Sequence, residues 1–259
     1  REVKVLLVGD GAAGKTSLAK RLRGLPFDKN ESQTHGIDIA SWDTTPGNFK
    51  IRVRLWDFGG QEIMHATHQF FLSKRSLYIL VLDGRKEEKT EYWLNHVQTF
   101  GGASPVLVVL NKMDENPGFD VNRRFLKEKY PFIKGFYPVS CASSDGIETF
   151  KKALDHQLAS IELIRTSWAN SWFQVKTRLE NMKDHYISYD RYRDICAEEK
   201  IPAATAQDTL VDFLNDLGVI LHAMLHQEYS AIVDKVSVRL YTKQEDVDRI
   251  LIEARKAYE

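Results

Sequence analysis

The chain has 259 residues, of which 43% are apolar and 28% charged, and its 36 basic side chains are balanced by 36 acidic ones. This composition is typical of a folded globular protein and excludes an intrinsically disordered chain. A net charge of zero gives no broad positive field of the kind that drives non-specific binding to nucleic acid or to an anionic membrane, which leaves only local basic patches for such contacts. The length predicts one large domain or two small ones.

Cysteine content and apolar runs bear on where the chain resides. Cys141 and Cys196 lie in segments expected to be buried, so we expect neither a disulfide framework nor a zinc site and predict a cytoplasmic location. The longest apolar runs, 76–82 and 106–110, are far shorter than the roughly 20 residues that cross a membrane, and no integral membrane segment is predicted. The chain begins at Arg1 without a signal-peptide pattern, which indicates a piece of a longer protein.

Residues 1–160 alternate between strand and helix signals. We therefore predict an α/β domain with a mostly parallel sheet and helices on both faces. The expected strands are 3–8, 37–42, 50–56, 77–82, 106–110 and 136–139, and the expected helices are 15–23, 87–99 and 147–158. A turn signal at 45–48 predicts that the second and third strands form a hairpin.

Residues 161–259 have a different pattern, which predicts a mainly helical, winged-helix-like second domain. Apolar residues recur at helical spacing in three stretches, and a short strand signal follows them. The first helix is expected at 168–182, and the second begins after Ser188, which would cap it. The third runs from a capping box of Thr205 and Asp208 to Gly218, and the strand follows at 219–221. From about residue 223 we expect an atypical tail of one strand and one helix.

The winged-helix outline raises the possibility of DNA binding, since the third helix of that fold usually enters the major groove. Here that helix carries Asp208, Asp212 and Asp216 on one face, with no Lys or Arg between 203 and 218. Such a face repels phosphate, so we expect no binding to nucleic acid.

A glycine-rich loop follows the first strand. Residues 9–16 match G-x-x-x-x-G-K-[ST] between a buried strand and a helix, the context that a phosphate-binding loop requires. Its main-chain N–H groups and the helix N-terminus would hold phosphates, Lys15 would neutralise the outer ones, and the Thr16 hydroxyl would bind Mg²⁺. The expected nucleotide-binding residues here are Gly11, Ala12, Ala13, Gly14, Lys15, Thr16 and Ser17.

A second signal, Asp57-Phe58-Gly59-Gly60, follows another strand. Asp57 at the strand end would reach Mg²⁺ directly or through a water, and Gly60 would offer its N–H to the γ-phosphate. Asp-x-x-Gly is common in turns, so this signal gains its weight from its position after a strand.

The last two signals predict recognition of guanine. Asn111-Lys112-Met113-Asp114 follows a strand, and the Asp114 carboxylate would accept hydrogen bonds from N1 and N2 of guanine; adenine offers neither, which argues against an ATPase. Asn111 and Lys112 would brace the base and the phosphate loop. Ser140, Cys141 and Ala142 end the last strand, where a main-chain N–H, that of Ala142, would bind the guanine O6. All four signals fall at the carboxyl ends of strands, where an open α/β sheet binds its ligand.

Together these motifs resemble a Ras-like P-loop GTPase domain. Residues 57–62, 65–71 and 111–117 are more similar still to the Roc domain of Roco proteins. Scattered residues between 172 and 221 resemble the start of COR, the domain that follows Roc. We therefore expect a Roc domain at 1–160 and the N-terminal part of COR at 161–259.

The resemblance implies a slow GTPase that binds GTP or GDP with Mg²⁺. It assigns Thr34 to the first switch segment, where it would bind Mg²⁺ and sense the γ-phosphate. Gln61 occupies the position that orients the attacking water, although the residue there varies among Roco proteins. Hydrolysis also needs positive charge at the transition state; Arg85 is the candidate arginine finger, and Arg75 is its rival.

The family also implies partners. We expect a homodimer through COR, Roc or both, and leucine-rich repeats or other domains elsewhere in the longer protein. The atypical tail puts dimerisation through COR in question. Two functions stay open: a switch that hydrolyses GTP, and a scaffold that binds GTP or GDP and hardly turns over.

Overall fold

The computed structural model describes residues 2–32, 34, 37–46, 50–58, 72–85, 89–161, 169–182, 186–217, 219–225 and 229–234. The chain forms two compact units, Arg1–Arg165 and Thr166–Glu259. Within the described ranges, no helix is long and apolar enough to cross a membrane.

The first unit consists of six strands and four helices among its described residues. The strands are β1 (Glu2–Val8), β2 (Ile37–Thr44), β3 (Ile51–Phe58), β4 (Leu77–Asp83), β5 (Val106–Asn111) and β6 (Ile133–Pro138). The helices are α1 (Lys15–Leu22), α2 (Thr90–His96), α3 (Arg123–Lys129) and α4 (Ile147–Ser160). A short π-helical turn, Val97–Gly101, continues α2.

The strands form one sheet in the order β2-β3-β1-β4-β5-β6. Strand β2 runs antiparallel to β3, and the other neighbours are parallel. One face packs against α1 and α4 through buried residues such as Val5, Leu18 and Phe150. Because the parallel strands share a direction, the loops after β1, β3, β4, β5 and β6 meet at one edge of the sheet.

The structure confirms the predicted α/β fold and the hairpin, with local differences. Helix α3 was not predicted, because Leu126 is its only buried residue and it therefore has no apolar periodicity; the Asn122 side chain caps it by accepting from the Phe125 N–H at 3.1 Å. Strand β6 begins at residue 133 rather than 136. Of the helix predicted at 87–99, residues 87–88 lie outside the described part.

The second unit contains α5 (Asn170–Asn181), β7 (Tyr186–Ser188), α6 (Tyr189–Glu198), α7 (Ala204–Asp216), β8 (Ile220–Leu225) and β9 (Tyr229–Asp234). Its strands form an antiparallel sheet in the order β7-β9-β8. Val175, Tyr192, Ile195 and Leu214, from the three helices, are fully buried. The Trp172 ring on α5 contacts Phe213 on α7, and the Tyr192 hydroxyl on α6 donates to the Gln207 carbonyl on α7 at 2.7 Å. This order of helices and strands is that of a winged helix, as predicted, with two more strands than the sequence indicated.

The starts of two helices in this unit test the capping predictions. The Ser188 hydroxyl accepts from the Arg191 N–H at 3.1 Å and caps α6 as expected. The predicted Thr205 capping box is wrong, because the N-cap of α7 is Ala203, two residues earlier, and its side chain makes no capping hydrogen bond. The buried Gln207 amide instead donates to the Ile201 carbonyl at 2.8 Å and fixes the chain that enters the helix. The strand and helix expected within 235–259 lie outside the described residues, as does Gly218.

Candidate functional site

A cavity of about 470 Å³ lies in the first unit, at the edge of the sheet where the loops after the parallel strands meet. Of the predicted site residues, Ala12, Gly14, Lys15, Thr16, Ser17, Thr34, Arg85, Asn111, Lys112, Asp114, Cys141 and Ala142 line it. Gly11, Ala13 and Ser140 belong to the same loops but not to this lining. Gly60 and Gln61 lie outside the described residues. The structure thus brings together the signals that the sequence spreads over more than 100 positions.

The loop between β1 and α1 has a conformation that depends on glycine. Gly9 and Gly14 have φ values of 138° and 93°, which L side chains rarely adopt. A Cβ atom at Gly14 would collide with the Asn111 amide, so the loop lies directly against the end of β5. The buried Lys15 ammonium donates to the carbonyls of Gly9 and Asp10 at 2.8 and 2.9 Å. The loop therefore holds its lysine in place at the cavity wall.

Oxygen atoms of Thr16, Thr34 and Asp57 converge beside this loop. The Thr16 hydroxyl donates to Asp57 Oδ2 at 2.6 Å and lies 2.7 Å from the Thr34 hydroxyl, which is 3.4 Å from the same carboxylate oxygen. Asp57 Oδ1 is buried and accepts no hydrogen bond within the described part of the chain. Two hydroxyls and a carboxylate are the hard ligands that Mg²⁺ prefers, so these residues fit that cation.

The protonation of Asp57 supports this assignment. Burial raises the pKa of its carboxyl to about 6, although the Thr16 hydrogen bond and the charge of Lys15 oppose the rise. A cation beside it would favour the charged form and lower that pKa. The charged form of Asp57 is therefore more stable in this site with a cation beside it than without one.

Asn111 joins the phosphate loop to the loop after β6. Its amide nitrogen donates to the Ala13 carbonyl at 2.9 Å, and its amide oxygen accepts from the Cys141 N–H at 3.2 Å. The next residue, Lys112, donates to the Ala12 carbonyl at 2.6 Å. These contacts brace the phosphate loop, whereas the role of Asn111 and Lys112 toward the base stays a prediction. The side chain of Asp114 is left at the cavity wall.

The buried carboxylate of Asp83 bonds to two side chains at the end of the cavity where guanine is predicted to bind, called the base end below. It accepts from Arg85 Nε and Nη2 at 3.0 and 2.9 Å and from Lys112 Nζ at 2.8 Å. Burial alone would raise the pKa of Asp83, but the hydrogen bonds from Arg85 and Lys112 hold it well below its usual range. The pKa of Arg85 is raised by the same hydrogen bond.

These contacts place the Arg85 guanidinium beside Lys112 and Glu115, whose carboxylate it meets at 3.3 Å. It lies with the motif predicted to bind the base. A role as arginine finger, which stays a prediction, would require it to leave Asp83. Arg75 has a φ of 64° just before β4.

Three residues that support the site from outside the cavity lining, Asp83, Arg21 and Trp93, were not predicted from the sequence. Seven lining residues were not among the predicted site residues either: Phe27, Asp28, Lys29, Glu31, Ser32, Phe58 and Glu115. Asp83 had a usable signal, because it ends a buried strand directly beside Asn111 in the sheet register. Arg21 donates from Nε to the Cys141 carbonyl at 2.7 Å, and Trp93 donates from Nε1 to the Asp10 carboxylate at 2.9 Å. Neither contact has a sequence signal, since each joins positions far apart in the chain.

Fold and site together define the first unit as a Ras-like P-loop domain. Comparison with known proteins agrees. A family model described as "Ras of Complex, Roc, domain of DAPkinase" matches residues 4–114, and one described as "C-terminal of Roc, COR-A domain" matches residues 169–234. The second match extends past residue 223, where the sequence was expected to depart from COR.

The solved structure of Roco2 RocCORdC from Methanosarcina barkeri, bound to GDP, is 58% identical with a TM-score of 0.87; the match covers 92% of this chain and 74% of that one. The probable serine/threonine-protein kinase roco5 of Dictyostelium discoideum is 28% identical over 85% of this chain. A Roc-COR-CHAT protease of Runella zeae is also 28% identical over 85% of this chain. The chain spans 10% of that kinase and 26% of that protease. The chain belongs to the Roco family and corresponds to the Roc-COR module of that family.

Proposed function

We propose that this chain is a switch that binds GTP or GDP with Mg²⁺ and hydrolyses GTP slowly. The loop at 11–17 and Lys15 would hold the phosphates, and the Asp114 carboxylate and the Ala142 N–H would hold the guanine. The observation that carries the proposal is the Asn111 side chain, which bonds to Ala13 and Cys141 and so fixes both ends of one cavity at once. The GDP in the Methanosarcina barkeri relative supports it.

Mg²⁺ would be held by Thr16, Thr34 and Asp57 and would, when bound, neutralise charge on the transferring phosphoryl group. Gln61 would orient a water for in-line attack on the γ-phosphate. The side chains therefore act mainly by positioning and by stabilising charge. An arginine, Arg85 or its rival Arg75, would supply further positive charge.

The nucleotide state would order or release the segments 26–36 and 57–68, since Thr34 and Gly60 would contact the γ-phosphate directly. We propose that the module responds by changing its association as a cytoplasmic homodimer through COR, Roc or both. It would thereby regulate leucine-rich repeats or other domains of the parent protein.

Hydrolysis is tested by measuring the single-turnover release of phosphate from GTP at several protein concentrations. The unsubstituted chain, called the parent chain here and below, is compared with the Gln61→Leu and Arg85→Ala variants. We expect cleavage that becomes faster with concentration, as a dimer predicts, and that slows in Gln61→Leu. If Arg85 is a finger, its variant loses roughly 10³-fold or more in the cleavage step while GDP affinity changes little. If Arg85 only holds Asp83, GDP is released faster and the cleavage rate of bound GTP is retained.

Absence of cleavage at every concentration, with GDP still bound, would contradict the enzyme and favour a nucleotide-gated scaffold. Thr34→Ala serves as a second probe of the active state. It should weaken binding of a non-hydrolysable GTP analogue more than binding of GDP, because only the former has a γ-phosphate. Equal loss for both nucleotides would contradict the role of Thr34.

A further inference from the structure

The loop Ser140–Ala142 is held from two sides. On one side, Asn111 accepts from the Cys141 N–H. On the other, Arg21 donates from Nε to the Cys141 carbonyl at 2.7 Å and from Nη2 to the Ala142 carbonyl at 3.1 Å. Arg21 therefore contacts two of the three carbonyls of the short segment that borders the cavity.

The hydrogen bond to the Cys141 carbonyl determines where the Ala142 N–H points. The carbonyl of Cys141 and the N–H of Ala142 belong to the same planar trans peptide group, in which they point in opposite directions. Holding the carbonyl against the Arg21 guanidinium thus aims the Ala142 N–H away from helix α1. A charged donor on the carbonyl also polarises the peptide and makes its N–H a stronger donor.

The neighbouring peptide is fixed in the same way. Its carbonyl, that of Ala142, accepts from Arg21, and its N–H, that of Ser143, donates to the Ser140 hydroxyl oxygen at 3.0 Å. Ser140 and Cys141 are themselves buried. The loop consequently has little freedom to turn either peptide while Arg21 is present.

Arg21 stands on α1, the helix that begins with Lys15 at the phosphate loop. The helix is short and well packed, with Leu18 and Leu22 buried against the sheet. One rigid element therefore carries both the residue at the phosphates and the residue that holds the loop at the base.

We propose that Arg21 is a positioning residue for guanine recognition, which aims the Ala142 N–H at the 6-oxo group of the base. This inference rests on the function proposed above, because it requires a guanine in the cavity. It assigns to Arg21 a specificity role that is separate from that of Asp114, which would read N1 and N2.

The test compares three nucleotides by calorimetry on the parent chain and on Arg21→Ala. GDP carries all the groups that the site would read, 6-thioguanosine diphosphate replaces O6 by a weaker acceptor, and inosine diphosphate lacks the N2 amino group. We expect the parent chain to prefer GDP over both analogues. In Arg21→Ala the affinity for GDP should fall about tenfold, as one charge-assisted hydrogen bond predicts. The preference for GDP over 6-thioguanosine diphosphate should largely disappear, and the preference over inosine diphosphate should stay.

Arg23→Ala is the matched control, since Arg23 lies just after the same helix and donates to the Ala19 carbonyl at 3.2 Å. It should keep all three affinities. Arg21→Lys, which retains a charged donor, should restore part of the O6 preference and serves if the alanine variant does not fold.

Two results would overturn the proposal. One is an equal loss of affinity for all three nucleotides in Arg21→Ala, which indicates a general structural role. The other is a parent chain that binds GDP and 6-thioguanosine diphosphate equally, because O6 is then not read. A parent chain that binds no GDP, or binds it no better than ADP, instead contradicts the function proposed above.

Discussion

The two ends of the cavity are built differently. At the base end, the buried Asp83 carboxylate is matched by two cations, Arg85 and Lys112, and the Asn111 amide uses both its oxygen and its nitrogen. At the phosphate end, Asp57 keeps a buried oxygen that accepts no hydrogen bond from the described residues. The base end is thus complete within the protein, whereas the phosphate end has a charge that a ligand would balance.

This difference separates two kinds of contribution. Side chains at the base end bind one another, so their loss should destabilise the fold as well as nucleotide binding. At the phosphate end Lys15 and Asp57 also make hydrogen bonds within the protein. Each carries a charge that a ligand would meet, so their loss should weaken binding more than it destabilises the fold.

The largest effect is expected for Lys15→Ala. Removing the cation that would face the phosphates should weaken GDP binding by at least about 100-fold, because a charge-assisted contact with the phosphates is lost. The free energy of unfolding without nucleotide should fall by only about 1–2 kcal/mol, from loss of the hydrogen bonds that Lys15 donates to the Gly9 and Asp10 carbonyls. Calorimetry with GDP and urea unfolding measure the two quantities.

Lys151→Ala, on the exposed side of α4 where Lys151 pairs with Glu148, provides the control and should change neither quantity. If Lys15→Ala unfolds more easily by several kcal/mol, the contrast between the two ends is wrong.

Asp83→Asn should have the next largest effect, and its effect should be on the fold. The variant leaves Arg85 and Lys112 without their shared carboxylate, which should lower the free energy of unfolding by about 2–3 kcal/mol at pH 7. Since the folded protein holds the pKa of Asp83 below its usual range, the charged form stabilises the fold above about pH 4. That stabilisation is lost as the pH falls below this value.

The difference in stability between Asp83→Asn and the parent chain should therefore shrink on acidification. Urea unfolding at pH 7 and near pH 3 measures it, with Asp43→Asn as an exposed control whose ion pair is worth little. If the difference in stability is absent at pH 7, or grows as the pH falls, the charged form of Asp83 does not stabilise the base end.

The smallest effect is expected for Trp93→Phe, which removes the indole N–H from the Asp10 carboxylate and keeps an aromatic ring in the buried position. Since Asp10 belongs to the phosphate loop, GDP affinity should fall by a factor of about 3–10, the equivalent of roughly 1 kcal/mol. Trp172→Phe, in the second unit, is the control. An unchanged affinity for GDP would show that the α2 contact does not support the loop.

Much of this structure could be predicted from the sequence, for physical reasons. Buried parallel strands are continuous apolar runs, and both the phosphate loop and the guanine motif are local, so 3–8, 9–16 and 111–114 were found directly. The predicted nucleotide-binding residues that the structure describes lie in or beside one cavity, because the carboxyl ends of the parallel strands bring their loops together.

The remainder depended on tertiary contacts. Arg21 and Cys141 meet only after folding, and the short helix α3 buries a single residue. Thr205 and Asp208 satisfied a local capping rule, but the packing of Gln207 against Ile201 moved the helix start. Gly60 and Gln61, which lie outside the described residues, stay predictions.

The central claim is that the base end reads guanine, and calorimetric comparison of GDP with ADP on the nucleotide-free chain tests it most directly. Asp114 would accept hydrogen bonds that adenine cannot donate, so GDP should bind at least about 100-fold more tightly. Asp114→Ala should remove most of that difference while ADP affinity changes little. Equal binding of GDP and ADP by the parent chain would contradict the account.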